Sequence, residues 1–238
     1  MKKLSLLFTK DGLQWHISKG KTVLEEAFHF VTEETSPHLV EEKLDDVLKF
    51  DDYKEIEVIS ALNHFSLTPD TFAEHELGYK LISYNAPVDE ANEELMLSVN
   101  KRFAVQFYYT FPKHFYQKIK AKKLPTKFNF SGEKFLNALT VKNHKEIHIN
   151  LYHHQVEFFA FENKKVALYN NLDADSEVDF LYFIMFSLSK INFGTAETHF
   201  HIYGETHENE TFISELRKFV KNIKVHFDNA PKKNFVLS

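Results

Sequence analysis

A chain of 238 residues without a single cysteine excludes disulfides, thiolate metal ligands and a cysteine nucleophile, and its length suits one large domain or two small ones. A formal net charge of −5 and an apolar fraction of 43% fit a soluble protein with a buried core. The apolar run Leu4 to Phe8 behind Met1-Lys2-Lys3 stops at Thr9, short of a secretion signal's ~7–15-residue core, and no run nears the roughly 20 apolar residues that span a bilayer. The expected location is the cytoplasm. Twenty-five phenylalanines read as compositional bias and core filling rather than as a ligand platform.

In chain order, Leu4 to Thr9, Leu13 to Ser18 and Val23 to Phe30 predict three short antiparallel strands. Lys10-Asp11-Gly12 and Lys19-Gly20-Lys21 supply the turns, because Gly and Asp tolerate the dihedrals a tight hairpin needs. Ser36 and Pro37 then suit a helix start, and Leu39, Val40, Leu44, Val47 and Leu48 fall on one helical face. Alternation from Glu55 to Ser60 predicts a strand. Further on, Phe65 to Asp70 reads as a strand, Thr71 to Ser83 as a helix, Glu94 to Val99 and Phe103 to Tyr109 as a strand pair, and Pro112 to Lys123 as a basic helix. A strand at Lys127 to Phe130 and a helix at Glu133 to Leu139 follow, and Val141 to Lys145 is the predicted boundary between halves.

The second half predicts strands at Ile147 to Leu151, Val156 to Phe161 and Val166 to Asn171, then a helix from Glu177 to Ile191. Val178, Leu181, Ile184, Met185 and Leu188 line one face of that helix, and Phe180, Phe183 and Phe186 extend its apolar character, which predicts a buried helix. Thr198 to Tyr203 reads as a strand, Glu210 to Val220 as a helix and Ile223 to Phe227 as a last strand. Leu4, Leu13 and Val23 each recur 143 residues later as Ile147, Val156 and Val166. The strand-strand-strand-helix unit is therefore present twice. The expected organisation is two α/β halves, 1–140 with an inserted segment at about 61–100, and 141–238, with a cleft between them and edge strands at Val23–Phe30 and Val166–Asn171.

Three stretches carry a family resemblance: Ile147 to Ile191, His199-Phe200-His201-Ile202-Tyr203-Gly204 entering a helix, and Phe65 to Pro69 with its following helix. They resemble the actin-like ATPase superfamily, in particular its cytoplasmic scaffolding branch in type IV pilus and type II secretion assemblies. The chain as a whole is similar to a Bacteroidetes family, a domain of unknown function, placed in that superfamily. The resemblance implies a duplicated actin-like (ribonuclease-H-like) α/β fold, two mixed sheets with flanking helices. In active members the first hairpin of each half carries an Asp and glycines whose backbone N–H groups cradle nucleotide phosphates. The corresponding turns here are Thr9-Lys10-Asp11-Gly12 and Leu151-Tyr152-His153-His154. The first keeps an Asp-Gly pair that an ordinary hairpin explains equally well, and the second has neither carboxylate nor glycine. If a nucleotide bound at all, Asp11, Gly12 and Gly204 would hold it. The expectation is no catalytic residue and no cofactor.

Other chemistry is weaker. His199 and His201 share a strand face, and the fold that the resemblance implies would put His148 on an adjacent strand, but with no thiolate or well-placed carboxylate beside them the trio reads as a polar sheet face, and no metal is assigned. Serine hydrolase chemistry lacks a Gly-x-Ser-x-Gly elbow, and the acidic doublets read as solvated surface. Charge is uneven: Glu25 to Glu57 carries a net −9, Lys113 to Lys145 a net +8, and Arg217 to Lys233 a net +5. This suggests polar partner surfaces or the two halves attracting each other. Lys118, Lys120, Lys122, Lys123 and Lys127, interleaved with Phe115, Tyr116 and Phe128, form the one patch suited to nucleic acid. The leading expectation is a non-catalytic interaction or scaffolding module that takes a protein or peptide partner at the cleft or by strand addition. The alternatives are a residual nucleotide-binding switch and a nucleic-acid-associated accessory protein.

Overall fold

In the computed structural model, residues 1–174, 176–206, 209–226 and 236 are described. They divide into one unit of Met1–Asn137, joined by Val236, and another of Ala138–Phe235.

The first unit opens with β1 (Lys2–Thr9), β2 (Gly12–Lys19) and β3 (Thr22–Phe30), an antiparallel meander. α1 (Leu39–Leu48) begins two residues after Pro37, because Ser36 turns the chain first: its Oγ accepts from His38 N–H at 3.2 Å and its carbonyl from Leu39 N–H at 3.0 Å. Leu44, Val47 and Leu48 are buried on the face that the apolar spacing predicts. β4 (Glu55–Ser60) runs parallel to β1, pairing Leu4 with Ile56 and Leu6 with Val58.

A three-stranded antiparallel sheet follows, from β5 (Phe65–Pro69), β6 (Glu93–Asn100) and β7 (Val105–Pro112), with α2 (Gly78–Ser83) between β5 and β6. It runs past residue 100 because β7 is its central strand and pairs with both others. The helix expected from Thr71 is shorter: a 3₁₀ turn at His75–Leu77 and then α2, with Thr71 to Glu74 outside any helix. The rings of Phe65, Phe107 and Tyr109 pack within 5.1–5.4 Å of Phe130, centroid to centroid. α3 (Lys113–Ala121), β8 (Thr126–Phe130) and α4 (Ser131–Ala138) complete the unit, β8 lying parallel to β4.

In the second unit β9 (Lys145–Leu151), β10 (Gln155–Glu162) and β11 (Lys165–Asp173) repeat the meander. Asn163 and Lys164 both adopt positive φ at the β10–β11 turn, as a tight hairpin requires. α5 (Glu177–Lys190) starts where Ser176, in extended conformation, accepts the N–H of Asp179 on its side chain, and it ends at Asn192 in the left-handed region. β12 (His199–Gly204), α6 (Glu210–Leu216) and β13 (Asn222–Val225) follow, with β12 parallel to both β9 and β13. Phe227, expected in the last strand, lies outside the described residues.

The two five-stranded sheets have one topology, β3-β2-β1-β4-β8 and β11-β10-β9-β12-β13, so the duplication read from the sequence is a duplication of fold. β3 and β11 sit at the sheet edges. Each sheet packs one apolar face against its helices. In the second, Ile147, Ile149, Phe158 and Phe200 meet Phe180 and Ile184 of α5. α5 is not buried all round: Phe180, Ile184 and Leu188 are inside, while Val178, Tyr182 and Phe186, four residues apart, are 74%, 60% and 47% exposed.

Candidate functional site

The two phosphate-equivalent turns come first. In the first unit, Gly12 has φ +146°, and a Cβ there would lie 2.0 Å from the carbonyl oxygen of His29 on β3. Asp11 is buried, and its backbone carbonyl accepts the N–H of Val31 at 2.7 Å. The absent side chain at Gly12 thus makes room for the neighbouring edge strand. Hairpin packing alone requires this glycine.

In the second unit the turn is filled. Tyr152 is 1% exposed and its N–H donates to the Gln155 carbonyl at 2.9 Å. The Asn209 amide donates to the carbonyls of Tyr152 and Glu205, both at 2.8 Å, and Ala174 N–H donates to the His154 carbonyl. Gly204 adopts φ +82° where β12 ends, and Glu205 N–H then donates back to Leu151. The N–H groups of Tyr152, Ala174 and Glu205 and the Asn209 amide thus close the turn with hydrogen bonds. Asp11 and Gly12 belong to the first unit and Gly204 to the second.

Each sheet carries a buried carboxylate on its polar face. Glu57 accepts from Lys3 Nζ at 2.8 Å, Asn129 Nδ2 at 2.8 Å and Lys134 Nζ at 3.2 Å. Burial pushes its carboxyl upward, and the two ammonium groups outweigh that and hold it below the usual range. Glu157 of β10 accepts from Asn150 Nδ2 and Tyr152 Oη at 2.7 Å on one oxygen and from Tyr169 Oη at 2.9 Å on the other.

A second cluster joins β9 to β12. Glu146 and His148 are fully buried, and His148 pairs across the parallel ladder with His201. Their imidazoles stack at 4.6 Å between centroids with 11° between planes. Glu146 Oε2 lies 2.8 Å from His148 Nε2, His148 Nδ1 lies 3.2 Å from Tyr203 Oη, and His201 Nδ1 lies 3.1 Å from His226 Nε2. Burial lowers the His148 imidazole to about 4, against its hydrogen bond to Glu146, and it lowers His201 and His226 too. The carboxyl of Glu146, pushed up by burial, is brought below its ordinary value mainly by the N–H groups of Asn143 and Lys142 and by His148. The trio weighed in the sequence, and read there as a polar sheet face with no metal, was His148, His199 and His201. The cluster instead has Glu146 in place of His199. The missed signal is Glu146-x-His148, which alternation on a strand puts on one face.

The lysine patch is tied down in part. Lys118 contacts Asp45 and Glu41 at 2.7 and 2.9 Å, and Lys122 contacts Asp51 at 3.2 Å, so basic α3 faces acidic α1 within one unit. Lys120, Lys123 and Lys127 are exposed. Phe115, Tyr116 and Phe128 are partly buried against the first core: Phe115 meets Phe8 at 5.2 Å, and Tyr116 meets Phe128 at 5.1 Å.

Between edge strand β11 and α5 lies an apolar groove of about 410 Å³, lined by Leu168, Leu172, Phe183, Phe186 and Ile191 among others. Lys190 is the one charged side chain among its described lining residues, with Nζ 4.9 Å from the centre of the Phe186 ring. Among the described residues no helix is long and apolar enough to cross a membrane.

The family model described as "Protein of unknown function (DUF3822)" matches residues 1–223. No curated protein matches the chain in sequence. Among solved structures, a Bacteroides thetaiotaomicron protein with an actin-like ATPase fold and unknown function superposes with a TM-score of 0.80 at 20% identity, covering 94% of this chain and 90% of that one. The PilM–PilN type IV pilus biogenesis complex gives 0.62 at 9% identity, over 94% and 88%. The cytoplasmic domain of EpsL, an inner membrane component of the type II secretion system of Vibrio cholerae, gives 0.52 at 8%, over 100% and 92%. The fold is the two-domain actin-like ATPase fold.

Proposed function

We propose that this chain, which belongs to the DUF3822 family, is a non-catalytic member of the actin-like fold that works in the cytoplasm as a protein-interaction or scaffolding module. The observation that carries this reading is the second turn, where a buried Tyr152 stands in place of a glycine and the Asn209 amide ties the Tyr152 and Glu205 carbonyls together. Gly12 supports it, since hairpin packing alone accounts for that residue.

The partner is an extended peptide that adds a strand to β11 and sets alternate apolar side chains in the groove against α5. An unpaired edge supplies backbone groups for register, and the exposed stripe of Val178, Tyr182 and Phe186 borders the groove with apolar area. Lys190 selects an acidic residue at one position. One relative was solved as a two-protein complex and another is a cytoplasmic domain of a secretion system, which supports a partner-binding role here.

Two experiments test this. Calorimetric titration with Mg-ATP, Mg-ADP and Mg-GTP is expected to show no binding, and a micromolar site would overturn the non-catalytic reading in favour of a nucleotide switch at Asp11, Gly12 and Gly204. Selection from a library of displayed ten-residue peptides is expected to enrich alternating apolar sequences with one acidic position, whose binding Phe186→Glu abolishes. Enrichment of nothing, or peptides indifferent to Phe186→Glu, would sink the groove as the docking site.

A further inference from the structure

We propose that Glu146, His148 and His201 form a three-ligand site for a divalent transition metal, Zn²⁺ above all, that clamps β9 to β12 inside the second unit. One donor atom from each residue lies within 4.8 Å of the other two. Zinc bonds of about 2.0–2.2 Å imply donor separations of roughly 3.3 Å in a tetrahedron, so the longest gap closes by about 1.5 Å through side-chain rotation. Two imidazoles and a carboxylate, with no thiolate in the chain, suit a borderline cation and leave the fourth position to water.

What separates this cluster from an ordinary buried hydrogen-bond network is how its atoms are used. His201 Nε2 is buried and has no hydrogen-bond partner. Buried imidazole nitrogens without a partner are rare, and a metal bond satisfies this one. The atoms left over on each ligand are held in orienting contacts of the kind that fix metal-binding side chains. Glu146 Oε1 accepts from the backbone N–H groups of Lys142 at 3.0 Å and Asn143 at 2.6 Å, and from the Asn143 amide at 2.6 Å. His148 Nδ1 is held by Tyr203 Oη and His201 Nδ1 by His226. The ion replaces the hydrogen bond between Glu146 Oε2 and His148 Nε2, so both of those atoms and the lone His201 Nε2 turn to a common centre. Because the ligands come from two adjacent strands, 53 residues apart in sequence between His148 and His201, the ion acts as a cross-link at the middle of the sheet.

The test is titration of the metal-stripped full chain with Zn²⁺ and, as a spectroscopic probe, Co²⁺. One equivalent bound at micromolar affinity or tighter is expected, with a raised melting temperature and an intense visible Co²⁺ spectrum of tetrahedral type. His201→Ala and Glu146→Gln are expected to weaken binding at least tenfold, while His199→Ala and a His153→Ala/His154→Ala double variant leave it intact. X-ray absorption at the zinc edge of the wild-type chain keeps the test open if a variant fails to fold, and it should report two imidazoles and one carboxylate. Weak binding of several equivalents, binding insensitive to His201 and Glu146, or an absorption spectrum without two imidazoles would each overturn the site.

Discussion

Lys118 on α3 places its ammonium 2.8 and 2.7 Å from the two carboxylate oxygens of Asp45 on α1. Part of the contrast between an acidic stretch before residue 57 and a basic one after residue 113 is thus met within the first unit, where α3 faces α1. The pair is well exposed, so its contribution is small and screened by salt. A double-mutant cycle of Lys118→Gln and Asp45→Asn is expected to show favourable coupling at low ionic strength that fades by about 0.5 M salt. In the same solutions, a Lys118→Gln/Lys122→Gln variant should hold single-stranded nucleic acid no more weakly than wild type. A marked, salt-dependent loss of affinity would instead restore the nucleic-acid reading of the lysine patch.

Gly12 gives a sharper outcome. A methyl group placed 2.0 Å from the His29 carbonyl, on a backbone at φ +146°, forces β3 away from β2. Gly12→Ala is expected to cost about 2 kcal/mol or more and to raise hydrogen exchange along β3 first. The cost should be the same with and without Mg-ATP. A variant as stable as wild type would mean that the hairpin does not need glycine, and that another role keeps it there.

Glu57 sets an acid limit. Its folded carboxyl titrates below its unfolded value of 4.5, so the stability it brings is present above pH 4.5 and is lost as pH falls through the folded value. Lys3, Lys134 and Asn129 are its partners. Glu57→Gln is therefore expected to be less stable than wild type by about 1–3 kcal/mol at pH 7. The gap should narrow as both are unfolded in urea at successively lower pH. A gap that holds constant down to pH 3 would show that packing, not charge, makes the difference.

What the sequence made legible was local and periodic. Asp11-Gly12 and Gly20 mark turns by backbone chemistry, and alternation does the rest, so the first meander and its echo from Ile147 could be placed within a few residues. α5 was misjudged because apolar residues on most sides of a helix look alike whether a sheet or a groove lies beside them. Only the sheet's position makes Phe180 interior and leaves Val178 exposed. The Glu146 cluster was legible only in part. Alternation puts Glu146 and His148 on one face, and the implied fold brings the strand of His201 alongside, but nothing in the spacing of the residues encodes the register that pairs His148 with His201. Asn209 was likewise silent, one asparagine before a helix, until the β9–β10 turn appeared around its amide.

That asparagine decides how firmly the second turn is closed. Its amide bridges two carbonyls, those of Tyr152 and Glu205, from two separate connections, and the residue is 4% exposed. Asn209→Ala removes both hydrogen bonds at about 1 kcal/mol each, which in a protein of this size lowers the melting temperature by about 4–8 °C. If the turn is a lost phosphate site, loosening it does not recover nucleotide binding, because Tyr152 still fills the space and no glycine replaces it. A Tyr152→Gly/Asn209→Ala double variant separates the two obstacles. It is expected to remain blind to Mg-ATP in calorimetry, since nothing aligns the backbone N–H groups once the amide is gone. Binding by the double variant but not by wild type would show that the phosphate cradle persists beneath these side chains, and that this member of the fold is a blocked nucleotide site rather than a dismantled one.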